Sequence, residues 1–70
     1  MNEEERMKII KNCRRWKNSF IDDDGSVVAY SEKKGVAVMQ RRFEEWWEIV
    51  ERDKDEERYN EIVEYCQTFN

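Results

Sequence analysis

The stretch SFIDDDGSVVAYSEKKGVAVMQ, residues 19–40, decides the fold of this chain. Two runs of β-favouring residues, Phe20–Ile21 and Val27–Tyr30, flank the sequence DDDG, which is the pattern of a β-hairpin. Gly25 can supply the positive φ that such a turn requires. The segment SEKKG predicts a second turn, and the run after it, Val36–Met39, fits either a third strand or the start of a helix.

Helical spacing favours the start of a helix over a third strand at this run. Apolar residues recur at the intervals of one helix face at Val36, Met39, Phe43, Trp47 and Val50. We therefore expect a helix that begins near Lys34–Val36 and runs to about Arg52, with a third strand as the alternative.

Further helices are expected on both sides of this segment. Residues 3–18 predict an amphipathic helix, with Asn2 as N-cap and three glutamates in its first turn. Its apolar stripe is Ile9, Cys13, Trp16 and Phe20. A break at residues 53–55, where Asp is a natural N-cap, precedes a last helix. The stripe of that helix is Tyr59, Ile62, Val63, Cys66 and Phe69.

These elements predict the α+β class. We expect an N-terminal helix, a β-hairpin or small three-stranded antiparallel meander, and two C-terminal helices, in a single domain spanning residues 1–70. A chain of 70 residues buries only a small core. Its 43% charged residues approach the composition of disordered chains, but nine periodically placed aromatic residues favour a folded domain.

Location and chemistry are constrained mainly by what the sequence lacks. There is no run of 18 apolar residues, and MNEEERMKII has no secretory apolar region, so we expect a cytoplasmic protein without membrane association. Cys13 and Cys66 are expected to be reduced and packed, with a disulfide between them as the alternative. The chain has no His, so a zinc site is not expected. If DDDG were part of an EF-hand calcium loop, Phe20 and Ser31 would occupy its first and last ligand positions, so a calcium site is not expected either. We predict no metal, no cofactor and no catalytic residues.

Charge is distributed unequally along the chain. Residues 1–42 contain ten basic and seven acidic side chains, whereas residues 43–70 contain three basic and ten acidic ones. In the predicted helices the acidic residues form two ridges at helical spacing. The ridges are Glu44, Glu48, Glu51 and Asp55, and then Glu57, Glu61 and Glu64. Carboxylates one turn apart, at roughly 5–6 Å, can occupy a Lys- and Arg-lined groove that takes nucleic acid. The alternative is a solubilising surface.

Aromatic and basic residues suggest further contacts. Trp46 lies beside the predicted core residue Trp47, and Trp46, together with Tyr59 or Tyr65, is a candidate interface anchor. Buried flanks of a central helix are the competing interpretation. Five basic residues of the first helix could bind nucleic acid, or could form a solvated face or pair with the acidic half. They are Lys8, Lys11, Arg14, Arg15 and Lys17.

From about residue 22 to 69, the chain resembles small acidic phage-encoded inhibitors of the anti-CRISPR type. The similarity lies in DDDGSVVAYSE, in a helix with Phe43 and Trp47, and in DEERYNEIVEYCQTF. The resemblance implies the element order α-β-β-β-α-α and an acidic surface that occupies the site for the DNA recognition element. On this chain the implied residues are Asp53, Asp55, Glu56 and Glu57.

We therefore predict a small, non-catalytic, phage-encoded inhibitor. It would bind a basic, nucleic-acid-handling surface of a host protein and would be a monomer or weak homodimer. The predicted partner-binding residues are Glu44, Trp46, Glu48, Glu51, Asp53, Asp55, Glu56, Glu57, Tyr59 and Glu61. Two alternatives remain: a nucleic-acid-binding regulator that uses the basic stripe, and a structural interaction module that buries Trp46.

Overall fold

A computed structural model of the chain describes residues 1–41 and 46–69. The helices in this part are α1, Glu3–Asn12, and α2, Glu56–Gln67, and a 3-10 turn, Cys13–Arg15, follows α1. The strands are β1 (Asn18–Ile21), β2 (Val27–Ser31), β3 (Val36–Gln40) and β4 (Glu48–Glu51). They lie side by side in chain order, and each neighbouring pair is antiparallel.

One helix covers each face of the sheet. Successive side chains of a strand point to opposite faces, so Val27 and Ala29 pack towards α1 while Val28 and Tyr30 pack towards α2. The core on the α1 side is Ile9, Cys13, Val27, Ala29, Val36, Val38 and Trp47. The core on the α2 side is Val28, Tyr30, Ala37, Val50, Tyr59, Ile62 and Cys66. The molecule therefore has three layers and two small cores.

The predicted helix from Lys34–Val36 to Arg52 is wrong. Its described part forms β3 and β4, so the sheet has four strands and α2 is the one helix described after it. The apolar stripe is divided between the two cores, because Val36 and Trp47 pack on the α1 side while Val50 packs on the α2 side. Phe43 lies outside the described residues. A strand buried on both faces has a continuous apolar run that mimics a helix, and length and β-branching are better guides.

The two predicted turns are confirmed. The backbone N–H of Asp22 donates to the carbonyl of Ser26 at 2.9 Å, and Gly25 has a φ of 89°. Gly35 ends the second turn with a φ of 66°. A Cβ atom there would lie 3.2 Å from the Arg52 guanidinium, so both conformation and space favour glycine.

The first helix is shorter than the predicted residues 3–18. Its N-cap is confirmed, because the Asn2 side chain accepts from the Glu5 N–H at 2.8 Å. After the 3-10 turn the chain becomes extended, and the Ser19 hydroxyl lies 3.1 Å and 3.0 Å from the carbonyls of Arg14 and Trp16. Ser19 thus holds the tight reversal that leads into β1, and the last residue of the predicted stripe, Phe20, packs on the α2 side.

Candidate protein-binding surface

The second acidic ridge lies on the outer face of α2. Asp55 caps the helix by accepting from the Arg58 N–H at 3.1 Å, which confirms the predicted N-cap. Apolar residues at helical spacing pack the inner face against the sheet, so the opposite face is directed outwards. The side chains on that outer face are exposed: Glu57, Glu61 and Glu64.

The predicted first ridge does not form, because Glu48 and Glu51 lie on β4 rather than on a helix. Residues three apart in a strand point to opposite faces. Glu48 accordingly meets α2, and Glu51 meets the N-terminus of the chain. Glu44, the first residue of that ridge, lies outside the described residues.

Glu48 is bound within the protein by Arg58. Two hydrogen bonds of 2.7 Å join the Nε and Nη2 atoms of Arg58 to the two carboxylate oxygens of Glu48. This bidentate pairing lowers the pKa of Glu48 and raises that of Arg58. Nη1 of Arg58 also lies 3.3 Å from Glu61. The pair fastens α2 to β4, so Glu48 stabilises the fold.

Glu51 is also occupied. Its carboxylate lies 3.2 Å from the Lys54 ammonium and 3.8 Å from the N-terminal ammonium. The hydrogen bond to Glu51 raises the pKa of Lys54. Of the other predicted contact residues in this region, Asp53 and Glu56 are exposed beside the cap residue Asp55. The acidic surface is therefore the outer face of α2 together with Asp53 and Glu56.

The aromatic residues predicted as interface anchors differ in exposure. Trp46 is 57% exposed and stays a candidate anchor, whereas Tyr59 is 4% exposed and cannot contact a partner in this conformation. Trp47 is buried beneath α1. The Arg14 guanidinium lies 5.1 Å from the centre of its ring, and Arg6 donates to its carbonyl at 2.9 Å.

A cluster of three aromatic rings lies at the end of α2, and Tyr65 is among the predicted candidate anchors, whereas Phe20 and Phe69 are not. Phe20 stacks on Phe69 with ring centres 4.3 Å apart, and Tyr65 meets Phe69 at nearly a right angle at 5.0 Å. The cluster lines a groove of about 430 Å³ whose lining also includes Val28 and Met39. Phe69 belongs to the predicted apolar stripe of the last helix, but its side chain is 40% exposed. The sequence signal for this cluster is the spacing of four between Tyr65 and Phe69. It continues the row of Glu57 and Glu61, which are also spaced by four.

The basic residues of α1 and the following turn form a separate surface. Lys8, Lys11, Arg14, Arg15 and Lys17 are all exposed. Because α1 and α2 cover opposite faces of the sheet, the lysines of α1 and the carboxylates of α2 lie on opposite sides of it, whereas Asp53 lines one pocket with Lys8.

The cysteines are free and buried, as expected, and each packs in a different core. The sheet lies between Cys13 and Cys66, so the alternative disulfide does not form. Burial raises the pKa of both thiols. Neither cysteine belongs to a metal site, because residues 1–41 and 46–69 contain no group of three or more ligating side chains placed to hold an ion.

Comparison with known proteins assigns no function to the chain, so a function has to be inferred from its surfaces. No protein-family model, curated protein or solved structure matches the chain. The four-stranded order found here also differs from the α-β-β-β-α-α order that the anti-CRISPR resemblance implied. Within the described part, no helix is long and apolar enough to span a bilayer.

Proposed function

We propose that this chain is a small, non-catalytic interaction protein that binds a basic, nucleic-acid-handling surface of another protein. The observation behind the proposal is the exposed outer face of α2, where Glu57, Glu61 and Glu64 repeat at one-turn spacing. Arg58, the single basic residue of α2, already pairs with Glu48 and Glu61. The outer face therefore has carboxylates in excess of cations.

Such a surface inhibits by occupancy. Carboxylates one helical turn apart present negative charge at roughly 5–6 Å intervals, which a groove built for phosphates attracts. Attraction of this kind accelerates association and weakens as salt is added. Trp46, more than half exposed, is a candidate apolar anchor.

The resemblance to phage-encoded inhibitors extends the proposal to a protein acting in a host cytoplasm. The part that supports this extension is the acidic segment DEERYNEIVEYCQTF, because α2 presents its carboxylates outwards. On this view the positions implied by the resemblance are divided. Glu56, Glu57 and Asp53 contact the partner, whereas Asp55 holds the helix as its cap.

The test compares two charge-matched variants in a pull-down from host lysate, followed by titration of the purified partner at increasing salt. One variant is Glu57→Gln, Glu61→Gln and Glu64→Gln, and the control is Glu3→Gln, Glu4→Gln and Glu32→Gln. Each raises the net charge by three at exposed positions. We expect the α2 variant to lose at least about tenfold in affinity, ~1.4 kcal/mol, and to show a weaker salt dependence. Equal binding of both variants would refute the proposal.

A second function is favoured by the location of the basic residues. Five exposed Lys and Arg side chains on and after α1 lie away from the carboxylates of α2, so they are available to a nucleic acid. A gel-shift assay at low salt with single- and double-stranded probes distinguishes the two functions. A shift abolished by Lys8→Gln and Lys11→Gln, and unaffected by the α2 variant, would favour nucleic-acid binding.

A further inference from the structure

The groove at the end of α2 is built from exposed aromatic rings. Tyr65 is 50% exposed and Phe69 is 40% exposed, although both contact other rings. Phe69 follows the last turn of α2, and its N–H donates to the Cys66 carbonyl at 3.2 Å. With Phe20 stacked on one side of Phe69, the rings are fixed before any partner arrives. Rigid, half-exposed aromatic side chains are typical of interface anchor sites.

Two carboxylates line the same groove as these rings. Asp22 and Glu61 line the groove from two directions, and Glu61 lies one turn before Tyr65 on the same row of α2. Glu64 adds a further exposed charge next to Tyr65 in sequence. An aromatic surface edged by negative charge suits a cation that can lie against a ring.

Two guanidiniums also line the groove, those of Arg41 and Arg58. Arg58 is held by the bidentate pair with Glu48 and by Glu61. Arg41 lies close enough to the same Glu48 carboxylate to lower its pKa. Arg58 is therefore already committed to Glu48 and Glu61, while Asp22 and Glu61 give the groove carboxylates that a cation of a partner can approach.

We propose that this groove receives an arginine side chain of the basic partner, with the guanidinium against Tyr65 and Phe69 and its N–H groups directed to Glu61. The proposal rests on the proposed function and names the chemical group that α2 recognises. Arginine fits better than lysine because its planar group stacks on rings and donates in a fork to carboxylates. Within residues 1–41 and 46–69, two arginines lie over aromatic rings in this way: Arg14 over Trp47 at 5.1 Å and Arg52 over Tyr59 at 5.6 Å.

The row Glu57, Glu61, Tyr65, Phe69 extends this recognition beyond one residue. Its spacing of four places carboxylates along the first half of α2 and rings at its end. A basic segment lying along the row would meet charge first and a ring surface last. The carboxylates would set the rate of encounter, and the rings would slow dissociation.

The experiment uses a labelled peptide of alternating arginine and glycine as the probe, at low ionic strength. Its matched controls contain citrulline, a neutral isostere, or lysine in place of arginine. The variants are Tyr65→Leu, which keeps apolar volume but removes the ring, and Tyr65→Phe, which keeps the ring. We expect the arginine peptide to bind most tightly and the citrulline peptide not to bind. We expect Tyr65→Leu to cost about tenfold in affinity and Tyr65→Phe to cost less than about threefold.

Amide shift mapping on labelled protein locates the bound peptide. Shifts centred on Phe20, Tyr65 and Phe69 support the groove. No binding of the arginine peptide by the wild type, or equal affinity of Tyr65→Leu and the wild type, overturns it. If Tyr65→Leu has no effect while the triple Gln variant of α2 loses its lysate partner, the groove proposal fails and the acidic-surface proposal stands.

Discussion

β4 and α2 contain glutamates from one continuous acidic stretch, yet their surroundings differ. On β4, Glu48 and Glu51 are partly buried, and each is bound by cations of the same chain. On α2, Glu57 and Glu64 are exposed on the face opposite the core. A strand between two helices directs its side chains into both layers, whereas an amphipathic helix keeps one whole face for solvent. Secondary structure, more than charge count, therefore decides which carboxylates can reach a partner.

This difference also separates stability from binding. The carboxylates of β4 contribute to folding, and those of α2 contribute little to it, because α2 is held to the sheet by its apolar face. Substitutions at the two locations should consequently move different observables. Four predictions test this division, beginning with the apolar contact on which it depends.

The largest effect is expected at Ile62. This residue is fully buried in the α2-side core, and Ile62→Ala would leave a cavity between helix and sheet. We expect a loss of about 2–5 kcal/mol in the free energy of unfolding, measured by urea denaturation. Val63→Ala, at a partly buried position on the same helix, is the control and should cost less. A loss below about 1 kcal/mol for Ile62→Ala would mean that α2 is held by something other than its apolar face.

The next effect concerns the ion pair between strand and helix. Glu48→Gln removes the charged partner of Arg58, and we expect a loss of about 1 kcal/mol because the pair is partly exposed. The lowered pKa of Glu48 means that this stability is complete above an unfolded pKa of about 4.3 and is lost as pH falls through the folded pKa. Across this acidic range, the melting temperature of the wild type should fall more steeply with decreasing pH than that of the variant. Identical profiles would show that the pair does not couple folding to pH.

A gain in stability is expected at Tyr59. Within the described part of the chain its hydroxyl is buried without a hydrogen-bond partner, whereas the Tyr30 hydroxyl lies 3.4 Å from the Gln67 amide nitrogen. Removing an unsatisfied hydroxyl relieves its desolvation cost, so Tyr59→Phe should stabilise the protein by somewhat under about 1 kcal/mol. Tyr30→Phe is the matched control and should be neutral or destabilising. Thermal denaturation of both variants decides the point, and a loss for Tyr59→Phe would indicate a partner such as water.

Parts of this structure follow from local signals. Asn2 and Asp55 begin helices because their side chains accept from backbone N–H groups, and Gly25 and Gly35 allow the positive φ of two turns. Each signal lies within a few residues of its effect. The inner face of α2 was likewise predicted from its spacing, with Tyr59, Ile62 and Cys66 all in one core.

The wrong prediction of a helix in place of β3 and β4 had a non-local cause. A strand between two helices is apolar on both faces, so VAVM lacks the alternation that would distinguish it from a helix. The first acidic ridge depended on that helix, and the prediction of the ridge failed with it. The groove depends on Phe20 of β1 meeting Phe69 after α2. No local pattern brings together two residues so far apart in sequence.

The smallest effect on stability, and the sharpest test of the division, is expected for Glu57→Gln. Glu57 lies in the first turn of α2, where its negative charge interacts favourably with the helix dipole. It is also repelled by Glu61 one turn later. The two contributions are of similar size and opposite sign, so the free energy of unfolding should change by less than about 0.5 kcal/mol. The same substitution at Glu48 should cost more in stability yet leave partner affinity nearly unchanged, whereas Glu57→Gln should weaken binding. If the two variants behave alike in both assays, strand and helix carboxylates share one role; if they exchange roles, the ion pair to Arg58 is part of the binding surface.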